Sequence, residues 1–272
     1  IHYNSQSIIN QENGGLKPGS ILAFEEGDPD FLDRSLIDNR FNNAENQLTG
    51  KRYHLSHIWK IIKENKSPNF RFEIGHEFNY ETKSYRFYQN SESFFFGETF
   101  NQKGIYDHSK LRKMENKFFL NLNESFYGKL TPSIELHKSD YSFRSIYYSD
   151  SGLIPNKIEP TQIFINSDWE KKISNFYFKV DFKKTIQSDW ISDHFLSKIK
   201  YNFNNKFLFS SEFGFRSQNP DFNFILYQSD YKNYNWYNPE FKNQRTAHFR
   251  LDISNSTIGE ISILYQNIDN YT

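Results

Sequence analysis

The most regular pattern in the chain runs from Phe70 to Glu81. Phe70, Phe72, Ile74, His76, Phe78 and Tyr80 alternate there with Arg71, Glu73, Gly75, Glu77, Asn79 and Glu81. A period of two puts the first set on one face of a β-strand and the second on the other, and the pattern extends toward Gln89. The same alternation returns downstream. Phe176, Phe178, Val180 and Phe182 interleave with Tyr177, Lys179 and Asp181 in a strand over 175–185. Phe195, Ile199, Tyr201 and Phe203 interleave with Lys198, Lys200 and Asn202, and then Phe207, Phe209, Phe213 and Phe215 with Ser210, Glu212, Gly214 and Arg216. Only Asn204 and Asn205 separate these two runs, which reads as a hairpin. Near the end, Phe249, Leu251 and Ile253 oppose His248, Arg250 and Asp252, followed by an Asn255-Ser256 turn and a last strand over 257–268.

Less regular strands are expected at 51–62, at 116–126 (Phe118, Leu120, Leu122), at 129–144 and at 161–169 (Ile163, Ile165, Trp169). In 129–144 the apolar set Leu130, Pro132, Ile134, Leu136 slips phase to Tyr141 and Phe143, which predicts a bulge. Turns are expected at 63–69, Tyr127-Gly128 and 170–174, with a medium link at 186–191. Residues 1–50 (after a short strand at 1–5), 90–115, 145–160 and 220–241 are expected to be long loops. Short and long connections thus alternate. Tight turns gather at one end of the sheet and long loops at the other, the wiring of outer-membrane barrels. A strand of about ten residues at ~3.3 Å each, tilted ~45°, spans roughly 23 Å, close to the ~25 Å apolar band of such barrels.

The expected fold is therefore all-β: an antiparallel up-and-down transmembrane β-barrel, with about ten strands in view, read as one domain over 1–272. The chain opens on Ile1 without a signal peptide and stops at Thr272 without a tail after its last apolar run. It reads as an internal fragment, whose strands need not close a barrel by themselves.

Composition sharpens the choice between lipid and a soluble core. The chain has 29 Phe and 18 Tyr but one Met, and its mean hydropathy is −0.81. Many aromatics on a polar average is what a two-faced sheet gives. No apolar run of about 18 residues occurs, so no transmembrane helix is expected, and transmembrane strands average out of such scans. A soluble antiparallel sandwich or a lipocalin-like sheet also alternates. Lipid is favoured because Phe dominates the apolar positions, because Trp59, Tyr127, Trp169 and Trp190 fall near strand ends where aromatic girdles lie, and because the loops at one end are long. On this reading Phe70, Phe72, Phe78, Phe176, Phe178, Phe207, Phe209 and Phe213 face lipid. Arg71, Glu73, Glu77, Glu81, Lys179, Lys198, Lys200, Glu212, Arg216 and Arg250 line the pore. The bland alternative is that these charges are simply solvated on a wet sheet face.

Charge and motif content narrow the function. Net charge is +0, so nucleic acid has no basic footprint, and the absence of cysteine removes disulfides and thiolate metal sites. No GxSxG, HExxH, GxxxxGK[ST] or GxGxxG motif is present. His54 and His57 are three apart, so on a strand they face opposite sides. The acidic run Glu25–Asp33 offers Asp28, Asp30 and Asp33 to a Ca²⁺ ion but lacks EF-hand spacing, and is read as a solvated loop. Glu73 and Glu77 would stand roughly 13 Å apart, beyond either glycosidase spacing. No catalysis, metal or cofactor is expected. Trp236 and Tyr237, in the aromatic stretch 220–241, are candidates for ligand contact by stacking.

That stretch, PDFNFILYQSDYKNYNWYN (Pro220–Asn238), resembles the signature segment of the putative porin family of Bacteroidetes. NSQSIINQENGGL (Asn4–Leu16), DRS (Asp33–Ser35), KRYHLSH (Lys51–His57) and SDWEKK (Ser167–Lys172) add to the likeness, which covers nearly the whole chain. The resemblance implies an outer-membrane β-barrel and a porin role, without a substrate. The expected function is a channel for passive diffusion of small polar solutes, with outer-membrane lipid as partner and a homo-oligomer left open. The alternatives are the barrel of an energy-coupled nutrient receptor and a soluble extracellular glycan-binding sheet domain.

Overall fold

The computed structural model describes residues 1–12, 15–40, 43–61, 70–90, 96–100, 104–124, 126–144, 147–149, 152–188, 190–203, 206–255 and 257–270. Eleven strands form one antiparallel sheet in which sequence neighbours are spatial neighbours: β1 (His2–Glu12), β2 (Ala44–Lys60), β3 (Phe70–Gln89), β4 (Ile105–Glu124), β5 (Gly128–Phe143), β6 (Thr161–Ile173), β7 (Phe176–Ser188), β8 (His194–Phe203), β9 (Phe207–Gln218), β10 (Gln244–Asn255) and β11 (Gly259–Asp269). A two-residue strand, Lys157–Ile158, adds to the free upper part of β5. This up-and-down order is the expected one. Among the described residues β1 and β11 pair on one side only, so the sheet does not close on itself, and nearly all of their residues are exposed.

The connections sort by length as expected. At one end they are 61–69, 125–127, 174–175, 204–206 and 256–258, and at the other 13–43, 90–104, 144–160, 189–193 and 219–243. The tight turns are built by residues that tolerate positive φ. Ser174 takes φ 51° in the two-residue link between β6 and β7. Gly128 takes φ 84°, where a Cβ would stand 2.4 Å from the Glu170 carbonyl oxygen, so a side chain does not fit. Asn204, Asn205 and 63–69 lie outside the described residues.

Several expected boundaries are corrected. β1 and β2 reach Glu12 and back to Ala44, and β4 starts at Ile105 rather than near 116, so much of what read as loop is strand. The turn at 170–174 shrinks because β6 runs to Ile173. Within the first long connection a helix forms at Pro18–Glu25, with proline in its first turn where no amide hydrogen is needed. Asp28 and Asp33 accept from Asp30 N at 3.0 Å and Ser35 N at 2.9 Å, capping two 3₁₀ turns.

The bulge expected in β5 is absent. The β4–β5 register is continuous from Ser109↔Phe143 to Glu124↔Gly128. The phase slip has another cause: Tyr141 and Phe143 lie on the face opposite Ile134 and Leu136, and it is this other face that is buried at that end. The register irregularity that does occur sits between Thr185 and Gln187 on β7, beside the exposed Ile186.

Candidate functional site

The strand registers place the side chains on two faces of opposite chemistry. Phe72, Phe78, Phe118, Ile134, Ile165, Phe176, Phe178, Phe182, Ile199, Phe207, Phe209, Phe213, Phe249 and Ile263 share one face. It is bare: Phe118 is 53% exposed, Phe213 49% and Ile263 60%. Half of a ~150–250 Å² side chain contributes about 75–125 Å². One such residue from each of β4 to β11 already exceeds the ~300–600 Å² of the largest apolar patch on a typical soluble monomer. Phe70 pairs with Glu124, and its side chain lies outside the described residues. A polar interruption sits in this face, where His57 and His76 share a hydrogen bond of 3.0 Å and His76 stacks on Phe118 at 4.4 Å.

All ten charged residues singled out in the sequence, from Arg71 to Arg250, fall on the other face. They are not isolated. Glu73 accepts from Arg71 Nε at 2.7 Å and from Asn121 Nδ2 at 3.2 Å. Glu81 is 2.8 Å from Arg52 and 3.3 Å from Lys83. Lys179 pairs with Asp181 at 3.2 Å, and Lys198 donates to Glu212 at 2.8 Å, whose second oxygen meets His248 at 3.2 Å. Arg250 donates to Asp252 at 2.7 Å. Lys200 lies over the Tyr177 ring at 6.0 Å, and Arg216 stands opposite His194. Glu77 borders a recess of about 340 Å³ with Lys117, Phe119, Asn121, Asp168 and Lys179. The densest node was missed from sequence. Glu135 gathers Lys183 (2.7 Å), His137 (3.0 Å) and Lys117 (3.6 Å) from three strands, and Lys183 also caps the Phe164 ring at 4.0 Å. Its signal was an alternation in β5 that lacked flanking aromatics.

Two glycines shape this face. At Gly75 the Phe119 ring lies where a Cβ would be, 2.0 Å from the ring Cζ, and at Gly214 the His248 ring does the same at 2.1 Å. Each ring thus lies flat on its neighbour's backbone instead of standing out from the sheet.

Across the end of the polar face carrying the long connections runs the segment 219–243, here called the strap. It leaves β9 and reaches β3, six strands away in the sheet order. Phe222 packs on Tyr141 and Trp190, both at 5.4 Å between ring centres. Leu226 is fully buried with Tyr141, Phe143 and Ile154, and Leu111 and Tyr227 pack against them. Gln228 donates to the carbonyls of Ile154 (3.2 Å) and Pro155 (2.8 Å). Ser229 Oγ and Asp230 N donate to the Asp107 carboxylate at 2.6 and 2.7 Å, and Tyr231 Oη donates to Gln89 Oε1 at 2.8 Å. Asn235 pins the turn, accepting from Ser229 N and donating to the carbonyls of Ser229 and Tyr231. Burial pushes the Tyr227 hydroxyl pKa upward, and the Lys232 ammonium lowers that of Glu98 at the strap's outer edge. Trp236 stacks on Tyr227 at 4.8 Å and donates its indole N–H to Asn223, so it serves the strap's own packing, while Tyr237 is 40% exposed.

A family model described as "Putative porin" matches residues 1–272, the whole chain. The chain belongs to the Putative porin family. No curated protein matches it. Family membership and the open up-and-down sheet agree on a porin-like barrel wall. Within the Putative porin chain, no group of three or more metal-ligating side chains occurs among the described residues. No described helix is long and apolar enough to cross a membrane, which says nothing of strands.

Proposed function

We propose that this chain forms part of the wall of an outer-membrane channel through which small polar solutes diffuse passively. The bare apolar face meets lipid, the charged face lines the water-filled lumen, and the strap narrows that lumen at the end of the long connections. The observation that carries the reading is the strap: a chain segment buried over the charged face while the apolar face stays uncovered. A soluble sheet would do the reverse, because each apolar side chain left in water forfeits about 1.5–3 kcal/mol. Among the described residues the outer edges of β1 and β11 are unpaired. An open edge in hydrocarbon leaves backbone groups unsatisfied at several kcal/mol each, so the reading requires the outer edges of β1 and β11 to be paired in the membrane.

Mixed charge suits passage of neutral and zwitterionic solutes. Pairs such as Lys198–Glu212 along the wall create a local field without a net sign, which selects for neither cations nor anions as a single-sign ring would. The wall needs no catalytic step and no cofactor for this. The test is reconstitution of the full-length protein in liposomes with sugars of graded size. Swelling with a size cut-off is expected, together with recovery in the outer-membrane fraction and heat-modifiable migration on a detergent gel. A protein found in the soluble fraction overturns the barrel. Uptake of one tightly bound nutrient, dependent on an energised partner, overturns passive diffusion in favour of a coupled receptor.

A further inference from the structure

On β2 to β5 the bare face changes character part-way along the strands, and the change is sharp. The register row Tyr3–Tyr53–Tyr80–Met114 crosses four strands, with ring centres 4.7 Å apart for Tyr3–Tyr53 and 6.2 Å for Tyr53–Tyr80. On one side of it lie Leu55, Trp59, Ile74, Phe78, Phe118 and Leu120. On the other side, toward the long connections, the same face carries Lys51–Thr82–Arg112–Asp140, then Thr49–Ser84–Lys110–Ser142, then Gln47–Arg86–His108. Arg144 joins this last row, stacked over the Tyr106 ring at 4.9 Å. His108 lies within electrostatic reach of Arg86, Lys110 and Arg144 together. Five cations, Lys51, Arg86, Lys110, Arg112 and Arg144, thus crowd this band. The carboxylates described there are Asp140, shared at 3.6 Å by Arg112 and Lys157, Glu159, which pairs with Lys157 at 2.7 Å beside the band, and Glu45 one row further out. Four of the five cations are exposed.

We propose that this basic band binds the phosphates of an anionic glycolipid in the leaflet on the long-connection side. The inference rests on the barrel reading above. Tyrosine rings sit at headgroup level in membrane proteins. Successive rows on one face lie about 6.6 Å apart along a strand, or ~5 Å along the membrane normal at a ~45° tilt. The cations therefore begin at headgroup depth and continue outward for about 10 Å. That reach exceeds what a single phosphodiester beside glycerol can touch, and it matches phosphates carried on a sugar headgroup. A flat strand face has no pocket for a free phosphate, whereas a lipid is held there by its chains on Leu55, Phe78 and Phe118 and by its charge on the rows above.

The test uses the full-length protein in nanodiscs of three compositions: a bis-phosphorylated glucosamine lipid (lipid A), the same lipid dephosphorylated, and phosphatidylglycerol. Lipid retained through detergent exchange is measured by mass spectrometry. The wild type is expected to retain the phosphorylated glycolipid alone. Lys51→Gln/Arg86→Gln/Lys110→Gln, which changes exposed or half-exposed side chains and leaves Arg112–Asp140 in place, is expected to retain it ~100-fold more weakly, a factor of about five for each cation. Its swelling activity should be unchanged, which reports an intact barrel. Equal retention of the dephosphorylated lipid, or by the triple variant, overturns the phosphate site. Equal retention of phosphatidylglycerol overturns the glycolipid. A wild type that fails to enter nanodiscs at all overturns the barrel reading beneath it.

Discussion

Phe118 and Phe119 are neighbours in sequence with opposite surroundings, 53% and 7% exposed, because the strand turns one to each face. Phe119 is buried by lying on Gly75, so the glycine is the receptor of the ring. Gly75→Val is expected to displace it and to cost about 1–3 kcal/mol by overpacking, read as a lower urea midpoint for the barrel in lipid vesicles. Adding Phe119→Ala should recover part of that loss, since the two changes share one contact. The same assay separates the two faces at adjacent residues. Phe213→Arg is expected to cost ~2–4 kcal/mol, the scale for a cation on a lipid face near mid-membrane. Glu212→Gln should cost less than about 1 kcal/mol, because Lys198 and His248 stay solvated in the lumen. Equal cost for both would sink the assignment of the faces.

At the scale of elements, the strap is what covers the apolar cluster of Tyr141, Phe143 and Ile154 on the upper wall. Asn235 makes three hydrogen bonds to Ser229 and Tyr231 that hold its turn. Asn235→Ala is expected to loosen the segment by ~1–3 kcal/mol, visible as faster amide exchange across 219–243 while β6 to β9 keep their protection. This element also explains what the sequence pattern could and could not reveal. The strands β7 to β9 and the lower half of β3 were legible because one face meets one environment along their whole length there. The upper halves of β2 and β4 read as loop, and the phase of β5 looks broken. Their apolar side chains (Tyr141, Phe143, Leu111) point to the opposite face, under a strap that lies up to 142 positions away in sequence, so a local window sees only a broken phase. The face shared by the ten charged candidates was legible by parity alone. The Glu135 node was not, because its cations come from β4 and β7.

For the whole molecule, the proposed channel assigns to the two faces and the strap together the control of what passes. Replacing residues 222–237 by a short Gly-Ser link is expected to raise single-channel conductance and the sugar cut-off in liposome swelling, while leaving the protein in the membrane fraction. An unchanged cut-off would place the narrowest point elsewhere along the wall. The strap's anchors also carry a history. Gln89 and Asp107 belong to β3 and β4, made early, whereas Ser229 and Tyr231 follow only after β9, so the bonds between them close loops of more than a hundred residues. Contacts so remote in sequence come late, after the intervening wall has been laid down. On the proposed reading the lumen therefore starts wide and narrows only once these contacts close. For that interval the buried aromatics of the upper wall stand open to whatever chaperone or machinery escorts it.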